Sequence, residues 1–202
     1  MTDYRISLLR ALSAFFFSAL SNAQPAQDTN GFRPPALNEM YSSHEGQPIT
    51  EIGLTQGELK YVLSVVRRNV MVVNEKLKST SVLERELLAR RVDMGQGVTN
   101  GLVVQGSKDL CGDGNCITWF FRRSHAKWQP LFFVTSNFSE FSVGMFAFLP
   151  PKHSGLFNLL LMTHMSADDA PTDIWQFNGV KYELVESYCT HSSGAAVMGK
   201  CP

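Results

Sequence analysis

The residues of this 202-residue chain best suited to chemistry are four cysteines, five histidines and a few loop carboxylates. Cys111, Cys116, Cys189 and Cys201 are even in number, and in an oxidising compartment they form disulfides with three possible connectivities. The favoured pairing is Cys111–Cys116 with Cys189–Cys201. The first pair brackets Gly112-Asp113-Gly114-Asn115, four turn-forming residues that let the chain double back over a short bridge. The second would tie down the tail from His191 to Lys200. Zinc is the competing use, but Cys-x4-Cys with two scattered cysteines lacks the paired short spacings of a zinc site. An oxidised sulfur cannot attack, which argues against a cysteine nucleophile.

His44, His125, His153, His164 and His191 show no HExxH-like metal spacing. His164 ends the apolar run Leu159-Leu160-Leu161 and precedes Ser166 and Asp168, so a hydrolase acting through this loop is the enzymatic alternative. A triad needs a nucleophile on a sharp turn, an oriented base and an oxyanion hole, and three polar residues in one loop do not make one. The chain has no Gly-x-Ser-x-Gly elbow, phosphate-cradling loop or dinucleotide fingerprint. A hydrogen-bonded structural role suits His164 better. No metal and no cofactor is expected.

Charge narrows the partners. There are 18 basic and 18 acidic side chains, so no global field steers the chain to nucleic acid or anionic lipid. Arg122-Arg123 near Trp119 and Trp128 could stack on bases, but in an exported, neutral protein a hairpin with a charged outer face is the better reading, and no nucleic-acid partner is expected. Residues 1–23 read as a secretory signal: Arg5 and Arg10, the ten-residue apolar run Ala11 to Leu20, then Ser21-Asn22-Ala23 before a cleavage point. Ten residues rise only about 15 Å as a helix, too little to span a bilayer. Removing this segment takes away Arg5, Arg10 and Asp3, leaving 16 basic against 17 acidic residues. Residues 24–50, with scattered proline and glycine, read as an extended or disordered leader. The expected location is the periplasm or outside the cell.

The elements that must position these groups follow from periodicity. Thr55-Gln56-Gly57-Glu58 is a capping box, with Leu54 as a staple against Leu59. Leu59, Val62, Leu63, Val66, Val70, Val73 and Leu77 then recur on one helical face. Ser81-Val82-Leu83-Glu84 opens either a short helix through Arg90 or the approach to a strand over 88–92. From Val92 the texture becomes strand and turn. Leu102-Val103-Val104, a polar loop, Thr118-Trp119-Phe120-Phe121, a turn and Lys127-Trp128-Gln129 form one unit. Fifty-six residues on, Asn158-Leu159-Leu160, a polar loop, Ile174-Trp175-Gln176-Phe177, Asn178-Gly179 and Lys181-Tyr182-Glu183 form a second. Aromatics two apart share one face of a strand in each. Leu131 to Val134 and Phe141 to Leu149 supply further strands, the latter closed by Pro150-Pro151.

On the motifs Cys111-Gly112-Asp113-Gly114-Asn115-Cys116, Thr118-Trp119-Phe120-Phe121-Arg122, His164-Met165-Ser166-Ala167 and Phe177-Asn178-Gly179-Val180-Lys181-Tyr182, the chain resembles a family of small exported bacterial proteins without an assigned activity. The unit is also similar to FG-GAP or VCBS-type repeats of secreted and surface proteins. The resemblance covers about residues 92–190 and implies a β-rich exported module. Those repeats bind calcium through an acidic loop. Here the matching stretch offers only Asp93 as a charge beside Gln96, Thr99 and Asn100, and the second copy offers Lys152-His153-Ser154-Gly155. Two glycine turns account for both stretches. Asp168-Asp169 with Asp173 is better charged, but such loop acids are ordinarily solvated.

The expected fold is α+β. A helical segment over 55–90 precedes a mostly antiparallel β region of two related strand-loop-hairpin units, about 92–131 and 152–190, within one domain 51–202. These would form an open sheet, a sandwich or a partial propeller. The expected function is a non-enzymatic binding module for a protein or cell-envelope partner, with an inhibitor of a cell-wall hydrolase as one version. Its binding residues are Gly112, Asp113, Gly114 and Asn115, with Ser166, Asp168 and Asp169.

Overall fold

The computed structural model describes residues 35, 39–42, 44–70, 80–95, 99–107, 110–111, 115–131, 142–163, 169–191, 196–199 and 201. Residues 1–23, read above as a secretory signal, and Val73 and Leu77 of the helical stripe lie outside them.

Helix α1 (Gln56–Val70) starts where the capping box sets it. Glu58 N–H donates to Thr55 Oγ1 at 3.2 Å, and Thr55 N–H donates back to Glu58 Oε2 at 2.9 Å. Val62, Leu63, Val65 and Val66 are buried, with Leu54 and Leu59 partly so on the same core. The ambiguous stretch after it takes both forms. Helix α2 (Thr80–Glu86) hands over directly to strand β3 (Leu87–Val92).

Among the described residues, twelve strands build two antiparallel sheets. The helix-side sheet has the order β2 (Gln47–Pro48), β3, β4 (Gly101–Gly106), β5 (Cys116–Ser124) and β6 (Lys127–Pro130). Strand β7 (Ser142–Val143) pairs with the start of β5. The outer sheet runs β1 (Tyr41–Ser42), β8 (Met145–His153), β9 (Leu156–Met162), β10 (Asp169–Phe177), β11 (Tyr182–His191) and β12 (Ala196–Met198). Within the segment read as a leader, residues 41–42 and 47–48 are therefore strands, one in each sheet, and Ile49 is fully buried. Its apolar residues found a core, which proline and glycine counts do not reveal.

Alternation divides the interior into layers. Leu102, Val104, Trp119, Phe121 and Trp128 face α1, while Val103 and Phe120 face the outer sheet. There they meet Phe146, Leu159, Leu161, Phe177 and Tyr182. The Phe120 ring sits edge-on to Phe146 and Phe148, centroids 5.3 and 6.4 Å apart. With both faces covered, every residue of β4 is buried. The far face of the outer sheet buries Ala147, Leu160 and Met162 with Met40.

Two connections differ from what their dipeptides ordinarily make. Asn178-Gly179 makes a hairpin, but Phe177 pairs with Tyr182, so its loop has four residues. Asn178 Oδ1 accepts from the N–H groups of Val180 and Lys181, a side-chain-closed turn in place of a two-residue one. The two-residue loops with both residues left-handed are His125-Ala126 and Ser154-Gly155. Pro150-Pro151 does not end its strand either. β8 continues to His153 because the register slips between Leu149 and Lys152, where a residue without an N–H is tolerated.

Candidate functional site

The cysteines pair as expected, Cys111 with Cys116 and Cys189 with Cys201, so an oxidising environment suits the fold. The first bridge closes a turn between β4 and β5, with Cα atoms 4.0 Å apart. Its base is held firmly. Leu110 is buried in the helix-side core, its N–H donates to Ser107 O at 2.9 Å, and Cys116 is fully buried at the head of β5. Gly106 makes the approach possible, because a Cβ there would lie 2.3 Å from Leu110 Cβ. Asn115 is half-buried; Gly112, Asp113 and Gly114 lie outside the described residues. The two sulfurs differ in surroundings. Cys116 Sγ lies 3.7 Å from Nδ1 of His44, an exposed residue of the crossover between β1 and β2. Cys111 is a partly exposed residue, and its Sγ lies 3.3 Å from the Gly106 carbonyl oxygen.

The second bridge sits in a row of cross-strand pairs on β10 and β11: Asp169 with His191, Pro171 with Cys189, Asp173 with Ser187. His191 Nδ1 is bound to Asp169 Oδ1, and Ser187 Oγ donates to Asp173 Oδ1 at 2.7 Å. Asp169 is thus a strand residue tied to an imidazole, unlike a solvated loop acid. Ser166 and Asp168, with the candidate base His164, lie outside the described residues. Ser124 Oγ comes within 3.1 Å of His125 Nδ1, but on an exposed two-residue turn.

Among the described residues, metal-ligand atoms converge at two places, His44 with Cys111 and Cys116, and His191 with Asp169 and Cys189, each set within 4.8 Å. In both sets the sulfurs are consumed by a disulfide, so neither offers thiolate ligands. In the stretch compared with a calcium loop, Asp93 and Asn100 each spend an oxygen on backbone, and Gln96 lies outside the described residues. Asp93 Oδ1 accepts from Gly95 N–H at 2.7 Å, and Asn100 Oδ1 accepts from Met94 N–H at 3.2 Å.

A cavity of about 410 Å³ opens beside the same β1–β2 crossover, lined by Tyr41, Gln47, Arg90 and Arg91 among others. Arg90 lies over the Tyr41 ring at 5.0 Å and pairs with Glu45 at 3.4 Å. Arg91 donates to the carbonyls of Ile52 and Gly53 and covers Trp128, so its charge serves the fold. Arg122 and Arg123 are structural too. Arg122 stacks over Phe177, and Arg123 pairs with Glu58 at 3.0 Å. His44, Glu45 and Arg90 carry no local sequence signal, since each meets its partner across the fold.

Comparison of the chain with protein-family models, curated proteins and solved structures returns no match. Among the described residues no helix is long and apolar enough to cross a membrane.

Proposed function

We propose that the protein is an exported, non-enzymatic interaction module that presents the disulfide-closed turn 111–116 to a protein or cell-envelope partner. The observation that carries the reading is the anchorage of that turn. A bridge across its base and the burial of Leu110 and Cys116 limit its freedom before any partner arrives. A loop already held in shape loses little entropy on binding. Gly112, Asp113, Gly114 and Asn115 would make the contact, with Ser166, Asp168 and Asp169 as a second surface. Location in the periplasm or outside the cell fits the apolar run Ala11 to Leu20 and the two bridges. The two strand-loop-hairpin units are read as related. Inhibition of a cell-wall hydrolase is the concrete form favoured, because a stiff cystine loop suits occupation of an enzyme cleft.

Crosslinking of the full chain in native envelope extract, read by mass spectrometry, tests this. Partner peptides should crosslink at residues 111–116 and be lost from a Cys111→Ser/Cys116→Ser variant that keeps its β-sheet circular dichroism. The same partner set for both proteins would overturn the reading.

A further inference from the structure

We propose that Cys111–Cys116 is an exchangeable disulfide, opened by a protein dithiol through attack on Cys111, with His44 stabilising Cys116 as the leaving thiolate. This does not rest on the interaction reading above; it rests on how unlike the two sulfurs are.

Exchange needs an accessible sulfur for the incoming thiolate, in line with a sulfur that can leave as an anion. Cys111 is the accessible one, since Cys116 is fully buried. The buried sulfur would be a poor leaving group in apolar surroundings, but Cys116 Sγ has His44 Nδ1 at 3.7 Å, and a protonated imidazole favours a neighbouring thiolate. The site also receives its other product. Once released, a Cys111 thiol would lie by the Gly106 carbonyl, 3.3 Å from the present sulfur position, and could donate to it.

The step balances. A partner thiolate attacks Cys111 Sγ, the Cys111–Cys116 bond breaks, and Cys116 departs with the electron pair. The partner's second thiolate then attacks the mixed disulfide and frees Cys111. Two electrons and two protons have passed from the dithiol, which becomes a disulfide, to this chain.

The other bridge is an internal reference. Beside Cys189 the imidazole of His191 is bound to Asp169, and the carboxylate lies within 4.8 Å of the sulfur. The His191 ring lies within the same 4.8 Å, but its bond to the carboxylate offsets any charge it carries, so a thiolate released there gains less than one beside His44 and this bridge should open more slowly.

Stopped glutathione reduction at neutral pH, followed by peptide mapping, tests the assignment on the full chain. In the wild type, Cys111–Cys116 should open before Cys189–Cys201, with the glutathione adduct on Cys111. His44→Ala and His44→Gln should each slow the first reduction on the order of three- to tenfold and leave the second unchanged. The adduct position in the wild type needs no variant, so a folding defect cannot hide the answer. An adduct on Cys116, prior opening of Cys189–Cys201, or wild-type rates in both His44 variants would overturn the proposal.

Discussion

Thr55 and Glu58 show how much one local motif can set. Their reciprocal hydrogen bonds start α1, and the N–H of Thr55 is the chief reason that the Glu58 carboxyl is held below its ordinary value of 4.5. Desolvation opposes this, while the Thr55 hydroxyl and Arg123 reinforce it. A carboxyl with a lowered folded value stabilises the fold above its unfolded value, and the contribution disappears as pH falls through the folded one. Glu58→Gln should therefore lower Tm at neutral pH, and the gap from wild type should close in a pH series below 4.5. Thr55→Ala should cost about 1 kcal/mol in chemical denaturation, the usual worth of an N-cap. The capping box was legible because its partners are three residues apart. His44 and Cys116 are 72 positions apart, and no spacing rule joins them. Tyr188 shows a different limit, since its partner is only two residues away. Burial first, then its bond to Glu186, pushes its phenol up to about 12, and nothing in the sequence marks it.

Among elements, helix α1 and the main strands could be read from apolar period, while their limits could not. The ambiguity over 81–92 was real. The segment satisfies a helix up to Glu86 and a strand from Leu87, and pairing of Leu87 with Gly106 decides where one becomes the other. Asn178-Gly179 and Pro150-Pro151 misled for a related reason, because side-chain hydrogen bonds and a register slip altered what the dipeptides ordinarily do. Gly106 is the sharpest local requirement. Any Cβ there meets Leu110 Cβ at 2.3 Å and its carbonyl oxygen at 2.9 Å, so the backbone next to Cys111 must move. Gly106→Ala is expected to destabilise by roughly 1–3 kcal/mol, as overpacked sites do, measured by urea midpoint. An unchanged midpoint would show that the turn slides without cost. The candidate binding residues were legible only as far as their bridge. Asp169 read as a solvated acid because its partner, His191, enters from the neighbouring strand.

At the scale of the molecule, a β-rich chain with two disulfides was legible, but the stacking of the sheets was not. Facing residues such as Phe120 and Phe146 come from different sheets, and alternation tells which side a residue takes without naming what lies there. Phe120 joins the layers, so Phe120→Ala should cost about 3–5 kcal/mol. Trp119 and Trp128 report on the helix-side core and Trp175 on the inter-sheet one. Their fluorescence should nevertheless lose intensity in one denaturant transition, and two separated transitions would show that the sheets unfold independently. The rim of the outer sheet has its own logic. Among the described residues β12 pairs with β11 only at Tyr188 to Thr190, so Leu184 and Val185, each about half exposed, stand on a thinly covered strand edge. Glu183 and Glu186 bracket them. If two copies met antiparallel about Leu184-Val185, each Glu183 would oppose the other's Glu186, like charge against like. The acids act as gatekeepers, allowing two aliphatic side chains at a strand edge while disfavouring the self-pairing that would start aggregation.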